Sequence, residues 1–461
     1  MKYNNMEYND KGAYVDLMKR LRERAGDVYS PLDASIYDKY NVKKGLRYKD
    51  GTGVMAGLTS IGEVSGYYID DGEKCPAEGH LRFRGYELED LVAHCESEGR
   101  FGFEEVAYLL LFAKLPTKEE LDVFTKYLGH ERALPSGFAE DMILKAPSPN
   151  IMNKLGRCIL ASYSYDDNPD DTSIGNVIRQ SLEIIAHLPV MAAYGYQAKK
   201  HYYDGQSLIL HTPQADLSTA ENILYMLRDD NKYTKAEAEL LDSMLMVHAE
   251  HGGGNNSAFT TRVVSSTGTD TYSAIAAAIG SLKGPKHGGA NERVVAMMEN
   301  IKENVRDWAD EDEVLAYLEK IIKKDAFDKS GLVYGMGHAI YTMSDPRAII
   351  IREKAKSVIE GDEEKSKIFN LYNLIEKLTP KAFYNIKGRE RLMCANVDLY
   401  SGFVYQTLGI PEELYTPLFA ISRIVGWCAH RIEEVHACGR IIRPAYKSIP
   451  KPRKYVPIDE R

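Results

Sequence analysis

The stretch FEEVAYLLLFAKLPTKEELDVFTKYL, Phe103–Leu128, decides the fold class. It reads as two helical runs broken at Lys-Leu-Pro. Thr117 and Glu120 stand at the spacing of a capping box, in which each residue satisfies an orphan backbone donor of the other. Helical patterns of this kind dominate from about Glu104 onward, so a mainly α fold is expected. Upstream, EVSGYYIDDGEKCPAEGHLRFRGY (Glu63–Tyr86) holds short β-prone stretches separated by Asp-Gly and Glu-Gly turns. One or two small hairpins are expected there, in a β region near the N-terminus.

The 461 residues exceed one ordinary core and predict two domains. No repeat, low-complexity segment or Gly/Ser linker is present, so a second domain is inserted or closely packed rather than tethered. Hydrophobic residues at 44% and charged residues at 27% are the balance of a soluble globular protein, and no apolar run is long enough to span a bilayer. The N-terminus, MKYNNMEYNDKGAYVDLMKRLRERAG, has neither the apolar core of a signal peptide nor the acid-poor composition of a transit peptide. Six scattered cysteines without a C-x-x-C pair predict reduced thiols, and a cytoplasmic location is expected. A formal charge of −9 with no long basic stripe argues against a nucleic-acid footprint, and a site for anions must carry its own arginines. The sequon at Asn255 has no secretory context and is read as chance.

Four stretches concentrate chemistry-bearing residues among glycines. In SLKGPKHGGAN (Ser281–Asn291), His287 sits in a Gly-Pro-rich turn before a helical run for which Asn291 is a plausible N-cap. Taken alone, this is equally an incidental histidine in a turn. Near a helix N-terminus the macrodipole disfavours the imidazolium, which makes His287 a candidate neutral donor. The preceding helix, TDTYSAIAAAIGSL, is built of small residues and belongs in a core or at a subunit interface.

In MVHAEHGGGNNSAF (Met246–Phe259), His248 and His251 share one helical face before a glycine stop. They could ligate zinc, although the four-residue spacing and glutamate of a helical zincin site are missing. In LVYGMGHAIYTMSDPRA (Leu332–Ala348), His338 follows Gly-Met-Gly and Arg347 follows a Ser-Asp-Pro turn. The third glycine and βαβ setting of a dinucleotide fingerprint are absent, so a loop that wraps a ligand explains the glycines better. In CANVDLYSGFVYQTLG (Cys394–Gly409), Asp398 precedes a helical run expected to start near Ser401, where a lone acid is often an N-cap.

Together these stretches resemble the citrate synthase family. HAEHGGGNNSAF, GPKHGGAN, GMGHAIYTMSDPRA and NVDLYSG stand in the family's order and approximate spacing, and EGHLRFRGY matches its N-terminal β region. The resemblance runs from about Gly45 to Pro444. It implies a two-domain helical homodimer, with a large domain from 1–287 and 403–461 and a small domain from 288–402, whose closure assembles the site.

The resemblance also implies condensation of acetyl-CoA with oxaloacetate and hydrolysis of the citryl thioester, an acyltransferase reaction that converts the acyl group into alkyl. By the same token Asp398 removes a methyl proton, neutral His287 donates to the thioester oxygen as it becomes enolic, and His338 protonates the oxaloacetate carbonyl. Arg347 and Arg423 bind the dicarboxylate with His251, and Arg443 serves the neighbouring subunit's site. Asn255 and Ser257 line the site or orient His287. No metal and no cofactor are implied, acetyl-CoA being a substrate; nucleic acid and membrane are not expected as partners.

The chain departs from the family at two loop positions. It has Thr342 where many members carry Lys or Arg near the CoA phosphates, and Ala339 where many bacterial members have Arg. The CoA phosphate contacts therefore do not carry over; Lys381, Lys387, Arg389 and Arg391 are replacements that the sequence offers. Two rivals remain at this stage. One is a 2-methylcitrate synthase that takes propionyl-CoA, and the other is a metal-dependent hydrolase at His248 and His251.

Overall fold

In the computed structural model, which describes residues 8–29, 31–71 and 73–461, helices make up 59% of the chain and strands 6%, so the mainly α expectation holds. The capping box forms in both directions. Thr117 accepts from the backbone of Glu120, whose carboxylate accepts from Thr117 N at 2.8 Å, and the helix Lys118–His130 begins there. The preceding helix, Phe103–Phe112, stops earlier than Pro116 because Ala113 adopts φ 60°.

The sheet is small and antiparallel. β1 (Gly62–Asp70) pairs with β2 (Glu73–Phe83), from Gly62 opposite Phe83 to Asp70 opposite Glu73, and a register shift falls between Ser65 and Tyr67. β3 (Tyr86–Glu87) adds a two-residue edge against Arg82 and Phe83. The Glu78-Gly79 pair, read as a turn, instead lies inside β2. A Cβ on Gly79 would stand 2.2 Å from the Ser344 carbonyl oxygen, so the glycine is there for close approach between the hairpin and the loop that carries His338.

The chain divides into two compact units. The first contains the described residues up to Met55 together with Pro444–Arg461, and includes the helices Tyr8–Val28 and Ala34–Lys39. The second, Ala56–Arg443, contains the sheet and every other helix named here. Its centre is the helix Tyr415–Glu433, buried on nearly all sides, which packs against Phe103–Phe112, Ile174–Asp204, Lys235–His248, Asn256–Ser265 and Thr271–Leu282. A helix surrounded in this way should be apolar all round. This one carries Arg423, His430 and Arg431 at 1% exposure or less, so each must find a polar partner or wait for one.

The small-residue helix, Thr271–Leu282, turns Ala274, Ile275, Ala278 and Ile279 into the core and leaves Gly280 exposed. Cys75, Cys95, Cys158, Cys394 and Cys428 are free thiols; the side chain of Cys438 lies outside the described residues. Among the described residues no helix is long and apolar enough to cross a membrane.

Candidate active site

His287 lies in the turn after Thr271–Leu282, where its backbone N–H donates to Gly284 O at 2.9 Å and Gly288 N donates to Leu282 O at 2.9 Å. The following helix, Ala290–Asn304, is capped by the backbone of Gly289 without a side-chain bond. Asn291, expected as the N-cap, lies inside the first turn and donates its amide to Ser401 Oγ, joining this helix to Val397–Thr407. His287 is driven neutral chiefly by burial, and then by the nearby Arg423 guanidinium; together they bring its pKa down to about 4.

Its Nε2 stands 3.1 Å from Ser257 Oγ. That oxygen also accepts from Trp427 Nε1 at 3.0 Å and lies 2.8 Å from Asn255 Oδ1, so its single proton is shared between Asn255 and His287. Ser257 and Asn255, which the resemblance implies line the site or orient His287, meet the histidine through this one oxygen. Trp427 was not foreseen; no local pattern marks an indole that meets a serine 170 residues away.

His338 and Asp398 are stitched together by backbone. Asn396 N donates to Gly335 O and Gly337 N to Cys394 O, each at 2.8 Å, and Asn396 Nδ2 reaches Gly337 O at 2.9 Å. Gly335 makes the approach possible: its φ is +81°, and a Cβ there would lie 2.9 Å from Leu399. The backbone N–H groups of Ile340 and Tyr341 donate to His338 Nδ1 at 3.1 and 3.2 Å, which leaves the ring proton on Nε2. The imidazole stacks on Tyr341 at 4.7 Å and meets His251 edge-on at 5.2 Å.

The helix Val397–Thr407 starts four residues earlier than expected, and its N-cap is Asn396, whose Oδ1 accepts from Asp398 N at 3.0 Å. The Asp398 carboxylate is thus not used as a cap. Burial is the main cause that raises its pKa, to about 6; Arg347 and Arg423 oppose the shift and Asp345 adds to it.

The two arginines are held differently. Arg347 forms a two-point pair with Asp345, Nε to Oδ1 at 3.0 Å and Nη2 to Oδ2 at 2.8 Å, at the start of the helix Pro346–Val358. Arg423 donates Nε to His248 O at 2.6 Å, and its guanidinium lies 4.7 Å from the Phe419 ring centre, yet Nη1 and Nη2 are buried with no hydrogen-bond partner. Burial draws its pKa down to about 10, which leaves it cationic at neutral pH. His251 is buried beside both, with Nε2 also unpartnered. Desolvation, then Arg347, His338, Arg423 and His287, hold it well below the ordinary histidine range. Unpaired buried donors around one space are expensive unless an anionic ligand completes them. The Tyr341 hydroxyl, which the sequence reading did not single out, is a further buried group without a partner.

Other expected residues are placed elsewhere. His248 donates Nδ1 to Met244 O at 2.9 Å and packs on Phe419. Among the described residues no three His, Cys, Asp or Glu side chains gather as a metal site requires, so the pair His248/His251 gains no third ligand. Arg443 is exposed on the segment after the last turn of the core, and among the described residues no hydrogen bond or ion pair joins it to this cluster. Thr342 donates to Gly66 O at 3.1 Å, and Ser344 accepts from Gly79 N at 3.0 Å. The position that many relatives of the resembled family use for a basic residue here ties the His338 loop to the hairpin.

The family described as "Citrate synthase, C-terminal domain" matches residues 48–445. Citrate synthase of Haloferax volcanii is 35% identical over 394 residues, covering 83% of this chain and 93% of that protein. 2-Methylcitrate synthase 1 of Corynebacterium glutamicum is 32% identical over 429 residues, with coverages of 91% and 98%. Among solved structures, the ternary complex of Thermoplasma acidophilum citrate synthase with carboxymethyl coenzyme A and oxaloacetate superposes with a TM-score of 0.71. Its sequence identity is 28%, and 91% and 99% of the two chains are covered.

Proposed function

The chain belongs to the citrate synthase family, a family of acyltransferases, and on that premise we propose that it condenses acetyl-CoA with oxaloacetate and hydrolyses the citryl thioester to citrate and CoA. The observation that carries this reading is the buried, partnerless fork of Arg423 beside Arg347, Asp398 and three histidines. A dianion would satisfy those donors, and the Thermoplasma relative was solved with oxaloacetate and a coenzyme A analogue.

Asp398 takes the methyl proton, and its raised pKa makes it a stronger base than an exposed aspartate. Neutral His287 stabilises the enolic oxygen. It can do so once Ser257 Oγ–H turns to donate a hydrogen bond to Nε2, because the ring proton then sits on Nδ1. His338 presents Nε2–H to the ketone of oxaloacetate, so the new alcohol forms without a free alkoxide. His251, Arg347 and Arg423 hold the carboxylates, and Arg443 completes the site of a second copy in a homodimer. Motion of 288–402 against the large domain excludes water while the carbon–carbon bond forms. The reaction draws on no metal or cofactor.

A propionyl-CoA reading has its own support in the Corynebacterium relative. Steady-state turnover with acetyl-CoA and propionyl-CoA, each with oxaloacetate, separates the two. A pocket that discriminates one methylene is worth about 1–3 kcal/mol, so the preferred acyl group should lead in kcat/KM by roughly ten- to two-hundredfold. Absence of turnover with both overturns the proposal.

A further inference from the structure

Glu250 precedes His251, and nothing in the motif reading gave it a role. Its side chain is fully buried between two glycines: a Cβ on Gly426 would lie 2.2 Å from Oε2, and one on Gly62 would lie 2.9 Å from Cγ. Oε1 accepts from His430 Nε2 at 2.9 Å. His430 is itself fixed, because Arg262 Nε and Nη2 lie 3.1 and 2.7 Å from Nδ1. A guanidinium can only donate, so Nδ1 is the acceptor and the imidazole proton must sit on Nε2, facing Glu250. Arg262 is anchored in turn by Glu434 at 3.0 Å and by Glu433.

At the other end, Oε2 of Glu250 has no hydrogen-bond partner, and neither do Nη1 and Nη2 of Arg423. Gly426 lies one helical turn beyond Arg423 on the same helix, and the carboxylate and the guanidinium act on one another electrostatically, yet no ion pair joins them. Burial pushes the Glu250 carboxyl up, but His430, the Arg423 guanidinium and the backbone N–H of Gly252 more than offset this and keep it ionised. A buried carboxylate and a buried guanidinium that reach one another ordinarily close a two-point pair.

We propose that Arg262 and His430 form a latch that holds Glu250 off Arg423, so that Glu250 supplies a countercharge while both Nη donors stay available to a substrate carboxylate. Glu250 is then a positioning residue that sets the affinity of the site for a dicarboxylate. The inference rests on the proposed reaction only in taking oxaloacetate as that dicarboxylate.

Calorimetric titration of the full chain with oxaloacetate tests it, with thermal unfolding used to establish that each variant is folded. Glu250→Gln keeps an acceptor for His430 but removes a negative charge near the incoming dianion, and should lower Kd by at least about tenfold, the effect of two unit charges about 12 Å apart at an effective dielectric near 20. His430→Phe removes the latch, lets Glu250 pair with Arg423, and should raise Kd by about tenfold or more. The double variant should return to the Glu250→Gln value, since no carboxylate is left to release.

A purely structural role predicts the opposite pattern, with both single variants weaker and the double variant weakest. That result, or a Kd unchanged in Glu250→Gln, overturns the latch. If Glu250→Gln does not fold, His430→Phe decides alone, and unchanged affinity in it overturns the proposal. A wild-type protein that binds no oxaloacetate overturns the proposed function, and the latch with it. Wild-type binding combined with the structural pattern overturns only the latch.

Discussion

Asp398→Asn should inactivate the protein and stabilise it at once. The carboxyl has an ordinary pKa of 3.8 and is raised to about 6 in the fold, first by burial. At about 1.4 kcal/mol per pKa unit, holding it ionised at pH 8 costs the native state about 3 kcal/mol, or about 2 after allowing for partial solvent access. The sign follows from the order of the two values. The unfolded chain ionises at lower pH than the folded one, so the cost is fully present above pH 6, shrinks as pH falls, and disappears below 3.8. Asparagine never incurs it. For a chain of this length the unfolding entropy is about 1 kcal/mol per degree, so Tm should rise by about 2–3 °C at pH 8, and by about a third of that at pH 4.5. Turnover, followed by release of the CoA thiol, should fall by at least about a hundredfold, the usual worth of a positioned base. Wild-type activity itself should decline as pH drops through about 6, where the base becomes protonated. Near-normal turnover in Asp398→Asn refutes the base assignment. A Tm that falls, or that shifts equally at both pH values, refutes the buried ionised carboxylate and would mark Asp398 as a structural residue.

Two further outcomes test the geometry around it. Gly335→Ala puts a Cβ 2.9 Å from Leu399 at a φ of +81°, so it should destabilise the fold by about 1–3 kcal/mol and cut kcat more than oxaloacetate affinity, because the backbone that joins His338 to Asp398 must shift; an unchanged kcat with an unchanged Tm refutes the close-approach argument. Inactive Asp398→Asn and Arg443→Ala proteins, mixed and allowed to exchange subunits, should regain activity as heterodimers form, since one site then holds an intact copy of each residue; silence after exchange has been demonstrated with differently tagged chains removes Arg443 from the shared site.

The sequence by itself determined whatever neighbouring residues decide among themselves. Thr117 and Glu120 cap a helix because three residues separate a hydroxyl from a backbone N–H, wherever that helix later packs. Order along the chain likewise made the His251, His287, His338 and Asp398 segments recognisable as a set. The sequence misread Glu78-Gly79 as a turn and Asn291 as a cap, because the residue that explains each lies far away: Ser344 pressed against Gly79, and Ser401 bonded to Asn291. Neutral His287 was legible from its place before a helix, but the main cause was not: distant helices bury it near Arg423. Tautomers were beyond the sequence's reach for the same reason, and Glu250 is held by His430, 180 residues on. Burial and pairing depend on which segments exclude water from which, and that is settled only when the helices pack around Tyr415–Glu433.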